Sequence, residues 1–237
     1  MVNLLDPHLI ITRMFEARKF DDMLNYCIKL LEKNPNDLMA LQNSALSLLH
    51  LEKFPEAIFY CDKVLKENNF DMYAITIKIH ALENLKEYEK VLDCCDSILS
   101  RNKDDVWTLN TMGLALNQLN RFNEAIEFYD KTLKIDEKNM TALMNKAVAL
   151  SFLGDYQNSI KYYDCAQIID PSMKELAIAK SREFEKLGLE DEVFLAAQGV
   201  LIKDMEKIKS DAKENKCSVF HQFCQLEFEE KETKITK

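Results

Sequence analysis

Seven cysteines and four histidines are the side chains of this 237-residue chain best suited to metal, redox or acid–base chemistry. Cys217, His221 and Cys224 follow one another at i, i+4 and i+7, so on a helix two thiols and an imidazole share a face, a donor set that zinc accepts. A closed zinc site needs a fourth ligand, and the next same-face residue is Phe228. Amphipathic packing is therefore the simpler reading, and no metal is expected. Cys27, Cys61 and Cys95 recur every 34 residues. Equivalent sites on stacked helical hairpins lie roughly 8–10 Å apart, beyond the Cα separation of about 7 Å that a disulfide tolerates. These three are expected as buried core thiols, with Cys94 pointing away from Cys95. The chain has no HExxH, G-x-S-x-G, phosphate loop or Cys-x-x-Cys, so no catalytic residue and no cofactor is expected.

The elements that carry these residues follow from composition. Four glycines and four prolines are too few for the tight turns of a sandwich or barrel, which leaves an all-α chain. A hydrophobic share of 47% supplies a sizeable core. No apolar run approaches a membrane span, and Asp6 with Pro7 interrupts any leader core, so a cytoplasmic protein is expected. The net charge of −9 repels phosphate backbones and anionic lipid, which excludes nucleic acid and membrane as partners. From Lys203 onward acids and lysines balance, so the acidity lies in the body of the chain.

A shift of 34 residues aligns six windows without insertion: 4–37, 38–71, 72–105, 106–139, 140–173 and 174–207. Position 11 reads Met14, Leu48, Leu82, Leu116, Leu150 and Phe184, and position 14 reads Ala17, Leu51, Leu85, Leu119, Leu153 and Leu187. Position 17 is aromatic in the first five windows, from Phe20 to Tyr156. Positions 4, 7, 8, 11 and 14 form one apolar stripe of helical period, and positions 17, 20, 21, 24, 27 and 28 form another. Each window therefore predicts two amphipathic helices. Gly154, Gly188 and Asn120 fall at the turn between them, Pro55 begins a second helix, and Pro35 and Pro171 close windows. Gly113 takes a small-residue packing position beside Ala45, Ala147 and Ser181.

Residues 4–207 resemble the tetratricopeptide-repeat family, most closely in MGLALNQLNRFNEAIEFYDKTLKIDEKN from Met112 and KAVALSFLGDYQNSIKYYDCAQIIDPS from Lys146. The resemblance implies a right-handed superhelical solenoid of stacked helix-turn-helix units, with the first helix of each lining a concave groove. The small residue of position 20, present as Ala57 and Ala125, is Met23, Val91, Ser159 and Val193 elsewhere, and Glu190 in place of the aromatic marks the sixth window as a degenerate cap. Residues 208–237 are expected as a capping helix and tail, with KDMEKIKSDAKENK extending the last repeat helix without interruption.

In this family the ligand-facing residues come from positions 2, 5, 6, 9, 12 and 13 of the first helix. Transferred one by one, these give Met39, Gln42, Asn43, Leu46, Leu49 and His50, then Tyr73, Thr76, Ile77, His80, Glu83 and Asn84. The fourth window gives Trp107, Asn110, Thr111, Leu114, Asn117 and Gln118, and the fifth Thr141, Met144, Asn145, Val148, Ser151 and Phe152. Glu83 is the only formal charge among them. Position 5 lacks the lysine of relatives that clamp acidic chaperone tails. Asn43, Asn110, Asn117 and Asn145 instead resemble asparagines that hold an extended backbone, since an amide donates and accepts at once. His50 and His80 are expected near each other in the groove, as polar lining.

The function that follows is a non-catalytic scaffold binding an extended or amphipathic peptide of a protein partner. The alternative is a self-assembling subunit that forms a homodimer or larger oligomer. It would use the apolar first helix, with Leu5, Leu9 and Phe15, or the apolar tail VFHQFCQLEF.

Overall fold

The computed structural model describes residues 6–235, with side chains described for residues 6–227; Leu5 and the side chain of Phe228 lie outside them. The described residues form fourteen α-helices and no strand. Two compact units divide the chain, 1–100 and 101–237.

The first unit contains three hairpins: α1 (Pro7–Glu16) with α2 (Phe20–Lys33), α3 (Leu38–His50) with α4 (Phe54–Glu67), and α5 (Met72–Asn84) with α6 (Tyr88–Leu99). The second contains α7 (Val106–Gln118) with α8 (Phe122–Ile135), α9 (Met140–Phe152) with α10 (Tyr156–Ile169), and α11 (Lys174–Lys186) with α12 (Glu190–Ala197). It ends with α13 (Ile202–Glu214) and α14 (Val219–Ile235). Within each unit the hairpins stack, so a first helix touches the first helix of the next hairpin, as α3 touches α5 and α7 touches α9.

Each hairpin turn is made the same way. Arg18, Glu52, Lys86, Asn120, Gly154 and Gly188 all take positive φ, between 53° and 80°. The next residue's N–H returns to a carbonyl five residues back, as from Lys53 to Leu48 and from Asp155 to Leu150. This is the left-handed helix ending that satisfies orphan carbonyls. Three of the six turns, at Arg18, Glu52 and Lys86, use a side chain that resists the conformation, at a cost of about 1–2 kcal/mol each.

The links between hairpins also repeat. Asn34, Asn68, Asn102, Asp136 and Asp170 each accept the N–H two residues on. Asp37, Asp71, Asp105 and Asn139 cap the following helix by accepting from Ala40, Ala74, Thr108 and Ala142. These Asx residues stop one helix and start the next, which explains how a chain with so few prolines turns so often.

Cys27, Cys61 and Cys95 are fully buried, and no disulfide forms among the described residues. Burial pushes the Cys27 and Cys61 thiols up to about 12, so both stay protonated and inert. Gly113 meets Tyr129 so closely that an added Cβ would lie 2.5 Å from the ring.

The last repeat differs from its expectation. The segment after Ile202 does not extend the preceding helix: α12 ends at Ala197, and Gly199, at φ 82°, breaks the chain before α13. Two side chains hold the break. Gln167 Nε2 donates to the Gly199 carbonyl, and Lys180 Nζ donates to the Val200 carbonyl at 2.8 Å. Part of the apolar tail packs here: Phe194 of α12 meets Phe220 and Phe223 of α14, with Phe220 still 60% exposed. Val219 joins the same core, with Phe223 and Leu226 packed against it.

Candidate functional site

The first helices make one face in each unit. In the first unit, Met39 and Leu46 are half-buried on α3 and pack on the core, while Tyr73 and His80 stand exposed on α5. Ile77, transferred to this face by resemblance, is buried against Leu41 and Cys61. In the second unit, Trp107 and Leu114 are exposed on α7, 38% and 36%. Met144 and Val148 of α9 are half-buried over Leu143 and Ala147.

Most of the amides expected to grip a peptide have internal partners. Gln42 Nε2 donates to Asp71 at 2.8 Å, and Asn110 Nδ2 to Asn139 at 3.0 Å, so both brace the cap of the following first helix. Asn43 Nδ2 donates to the Met39 carbonyl of its own helix at 2.7 Å, and Thr76 Oγ1 to the Met72 carbonyl. Asn117 Nδ2 bridges Tyr129 Oη and the Asn145 carbonyl, tying α7 to α8 and α9. The Oδ1 atoms of Asn110 and Asn117 are enclosed without a partner. Of the four asparagines, Asn145 alone has an amide with no hydrogen bond among the described residues.

The two histidines take different partners. His50 stacks on Phe20 at 4.2 Å between ring centroids, with Phe15 edge-on at 5.7 Å. Burial, helped by Arg18, lowers its pKa. His80 Nδ1 lies 3.2 Å from Glu83 Oε2, and that hydrogen bond raises its pKa.

The His50 contact belongs to a series that the sequence reading missed, in which position 13 of one repeat covers the position-17 aromatic of the repeat before. Phe152 stacks on Phe122 at 4.8 Å, and Lys186 Nζ sits 4.9 Å over Tyr156. A second series links position 7 to position 25 of the preceding repeat: Lys78 with Asp62, Lys146 with Asp130 and Lys180 with Asp164. Position 7 is therefore not apolar throughout, as the stripe predicts: a lysine enters the hairpin interface when an aspartate waits there. The 16-residue Asp-to-Lys spacing, three times repeated, was the available signal.

The cysteine–histidine set of the tail does not assemble. Cys217 precedes α14, in a turn where Lys216 has φ 51°, so it cannot share a helical face with His221 and Cys224. Its thiol lies 3.6 Å from Gln222 Oε1. No group of three or more metal-ligating side chains forms among the described residues, and no helix there is long and apolar enough to cross a membrane.

Residues 53–162 match a family profile described as the N-terminal TPR repeats region of Psidin. No curated protein matches the sequence. Among solved structures, a tetratricopeptide-repeat protein from Parabacteroides merdae is 18% identical with TM-score 0.72, covering 80% of this chain and 75% of its own. MamA from Desulfovibrio magneticus is 18% identical with TM-score 0.66, over 70% of this chain and 94% of its own. YrrB, described as a TPR protein with an unusual peptide-binding site, is 17% identical with TM-score 0.63, over 72% of this chain and 88% of its own.

Proposed function

Because the chain belongs to the tetratricopeptide-repeat family, we propose that it is a non-catalytic, cytoplasmic scaffold that binds a peptide segment of a protein partner on the faces of its first helices. The observation that carries this reading is a surface nearly without formal charge that carries exposed apolar side chains. Tyr73, Trp107 and Leu114 are each more than a third exposed, and the outward positions of α3, α5, α7 and α9 include one formal charge, Glu83. Within each unit, exposed aromatic and apolar residues on the first-helix face have the composition of interface centres. The peptide-binding site of YrrB offers a precedent on the same fold. The buried, protonated thiols of Cys27 and Cys61 suit a reducing compartment.

Affinity capture from the native cell tests the reading. Trp107→Ala and Leu114→Ala should each release the captured partner, while Ile168→Ala, an exposed residue of the second helix α10, should retain it. Equal retention by all three variants would remove the face from consideration.

Self-association is the second reading. Leu9 and Phe15 of α1 are each 41% exposed, and apolar surface of that kind can pair with a second copy. In the tail, Val219, Phe223 and Leu226 pack on the core around α12, while Phe220, 60% exposed, offers a second such surface. Light scattering across a range of concentrations, with Leu9→Glu as control, separates an oligomer from a monomer.

A further inference from the structure

We propose that the occupant of the α7–α9 face is an amphipathic α-helix with an uncharged apolar side and a basic outer side, and not an extended strand; this rests on the peptide-binding reading above.

Hydrogen bonding decides between the two backbones. An extended segment brings an N–H and a C=O per residue that need partners, whereas a helix satisfies its interior backbone itself. The face offers an extended segment little. Asn110 is committed to Asn139, Asn117 to Tyr129 and Asn145, and Thr111 Oγ1 to the Trp107 carbonyl. The unpartnered Oδ1 atoms of Asn110 and Asn117 are enclosed, so a strand's N–H cannot reach them. The helical backbones of α7 and α9 have no free groups along their length. The amides of Gln118 and Asn145 and the Thr141 hydroxyl are left, too few to pair the N–H and C=O of every residue of a strand.

What the face does offer suits a helix. Trp107 and Leu114 lie seven residues, two turns, apart on one side of α7. Met144 and Val148 lie one turn apart on α9, half-buried on the core. Together they form apolar ridges with the spacing of helix-into-groove anchors. Charge sets the occupant's two sides. A charged residue placed against these positions would lose its water and meet no counter-charge. The chain's net charge of −9 steers a cationic segment towards it, and the lysines keep their water on the side turned away from the face.

Trp107 is the sole tryptophan, so its fluorescence reports occupancy of this face in the full-length protein. Four capped peptides of about 18 residues, five turns, free of Trp and Tyr, serve as probes. They are a Leu/Ala/Lys amphipathic helix, the same with two central prolines, the same with Glu for Lys, and an alternating Val/Thr/Lys strand. The first should shift Trp107 emission saturably and gain helical circular dichroism on binding, and each of the others should bind about tenfold more weakly or worse. Leu114→Lys should weaken the first peptide about tenfold, with Leu114→Asn read alongside in case the lysine disturbs folding, and Ile168→Lys should leave it unchanged. If the strand or proline peptide binds as tightly and still depends on Leu114, the helical occupant is overturned and the groove stands. If binding is indifferent to Leu114, the groove reading itself falls, and the inference with it. Saturable binding by none of the four overturns the inference.

Discussion

Lys78 with Asp62 in the first unit, and Lys180 with Asp164 in the second, are the same pair in the same register, with the lysine sixteen residues after the aspartate. Their surroundings differ. The Lys78 side chain is 23% exposed and that of Lys180 is 0%. For Lys78, burial opposes the charge, but the hydrogen bond and charge of Asp62 outweigh it and raise the pKa. For Lys180, burial prevails over Asp164 and lowers the pKa. Lys180 also donates to Gln167 Oε1 and the Val200 carbonyl, and Asp164 accepts the Ile202 N–H at 3.0 Å. One motif therefore joins hairpins at the surface of one unit and, in the other, builds a latch that fixes where a helix must break.

The contrast can be broken most directly at Asp164. Asp164→Ala leaves a buried lysine without its counter-charge and should lower stability by about 3–5 kcal/mol, read by denaturant unfolding. Hydrogen exchange should show the opening concentrated in residues 198–205. If the loss is no larger than for Asp62→Ala, burial does not distinguish the pairs. Gly113→Ala probes the packing of the second unit. Its Cβ would meet the buried Tyr129 ring, so overpacking of about 1–3 kcal/mol should exceed the roughly 0.5–1 kcal/mol that alanine gains in a helix. A rise in melting temperature would show that Tyr129 can move aside.

Smaller effects are expected in the first unit. Glu52→Gly relieves a left-handed residue at φ 58° and should stabilise by up to about 1 kcal/mol, seen as a raised melting temperature. Asp62→Ala should cost at most about 1 kcal/mol, and less at high salt.

His50 adds a pH term. Its folded pKa is depressed below 6.5, first by burial and then by Arg18. The stability it contributes is therefore complete above 6.5 and is lost as pH falls through the lowered value. His80 has the opposite sign: its raised pKa gives stability that is complete below 6.5 and lost as pH rises through the folded value. Replacing His50 with Phe should keep the stack on Phe20 and remove the acid-side loss, checked by melting temperatures between pH 5 and pH 7.5.

The hairpins were legible because apolar residues recur with helical period inside a fixed 34-residue frame, which one chain displays six times over. The break at Gly199 was not, because periodicity continues through it. Only the tertiary contacts of Gln167 and Lys180 show that the glycine is used at positive φ. The candidate face was half legible. Exposure of Trp107 and Leu114 follows from their positions. The amides could not be read in the same way, because Asn and Gln fit a ligand's backbone and a neighbouring helix cap equally well. Gln42 and Asn110 took the caps, for Asp71 and Asn139 stand one repeat away at the height each amide reaches.

The central claim, a partner seated on the first helices, is tested most directly by placing a photo-crosslinking residue at Leu114 or at Ile168 in the full-length protein and identifying adducts formed in the native cell. The account predicts a discrete partner peptide joined at 114 and none at 168. Adducts at 168 that equal or exceed those at 114 would contradict it.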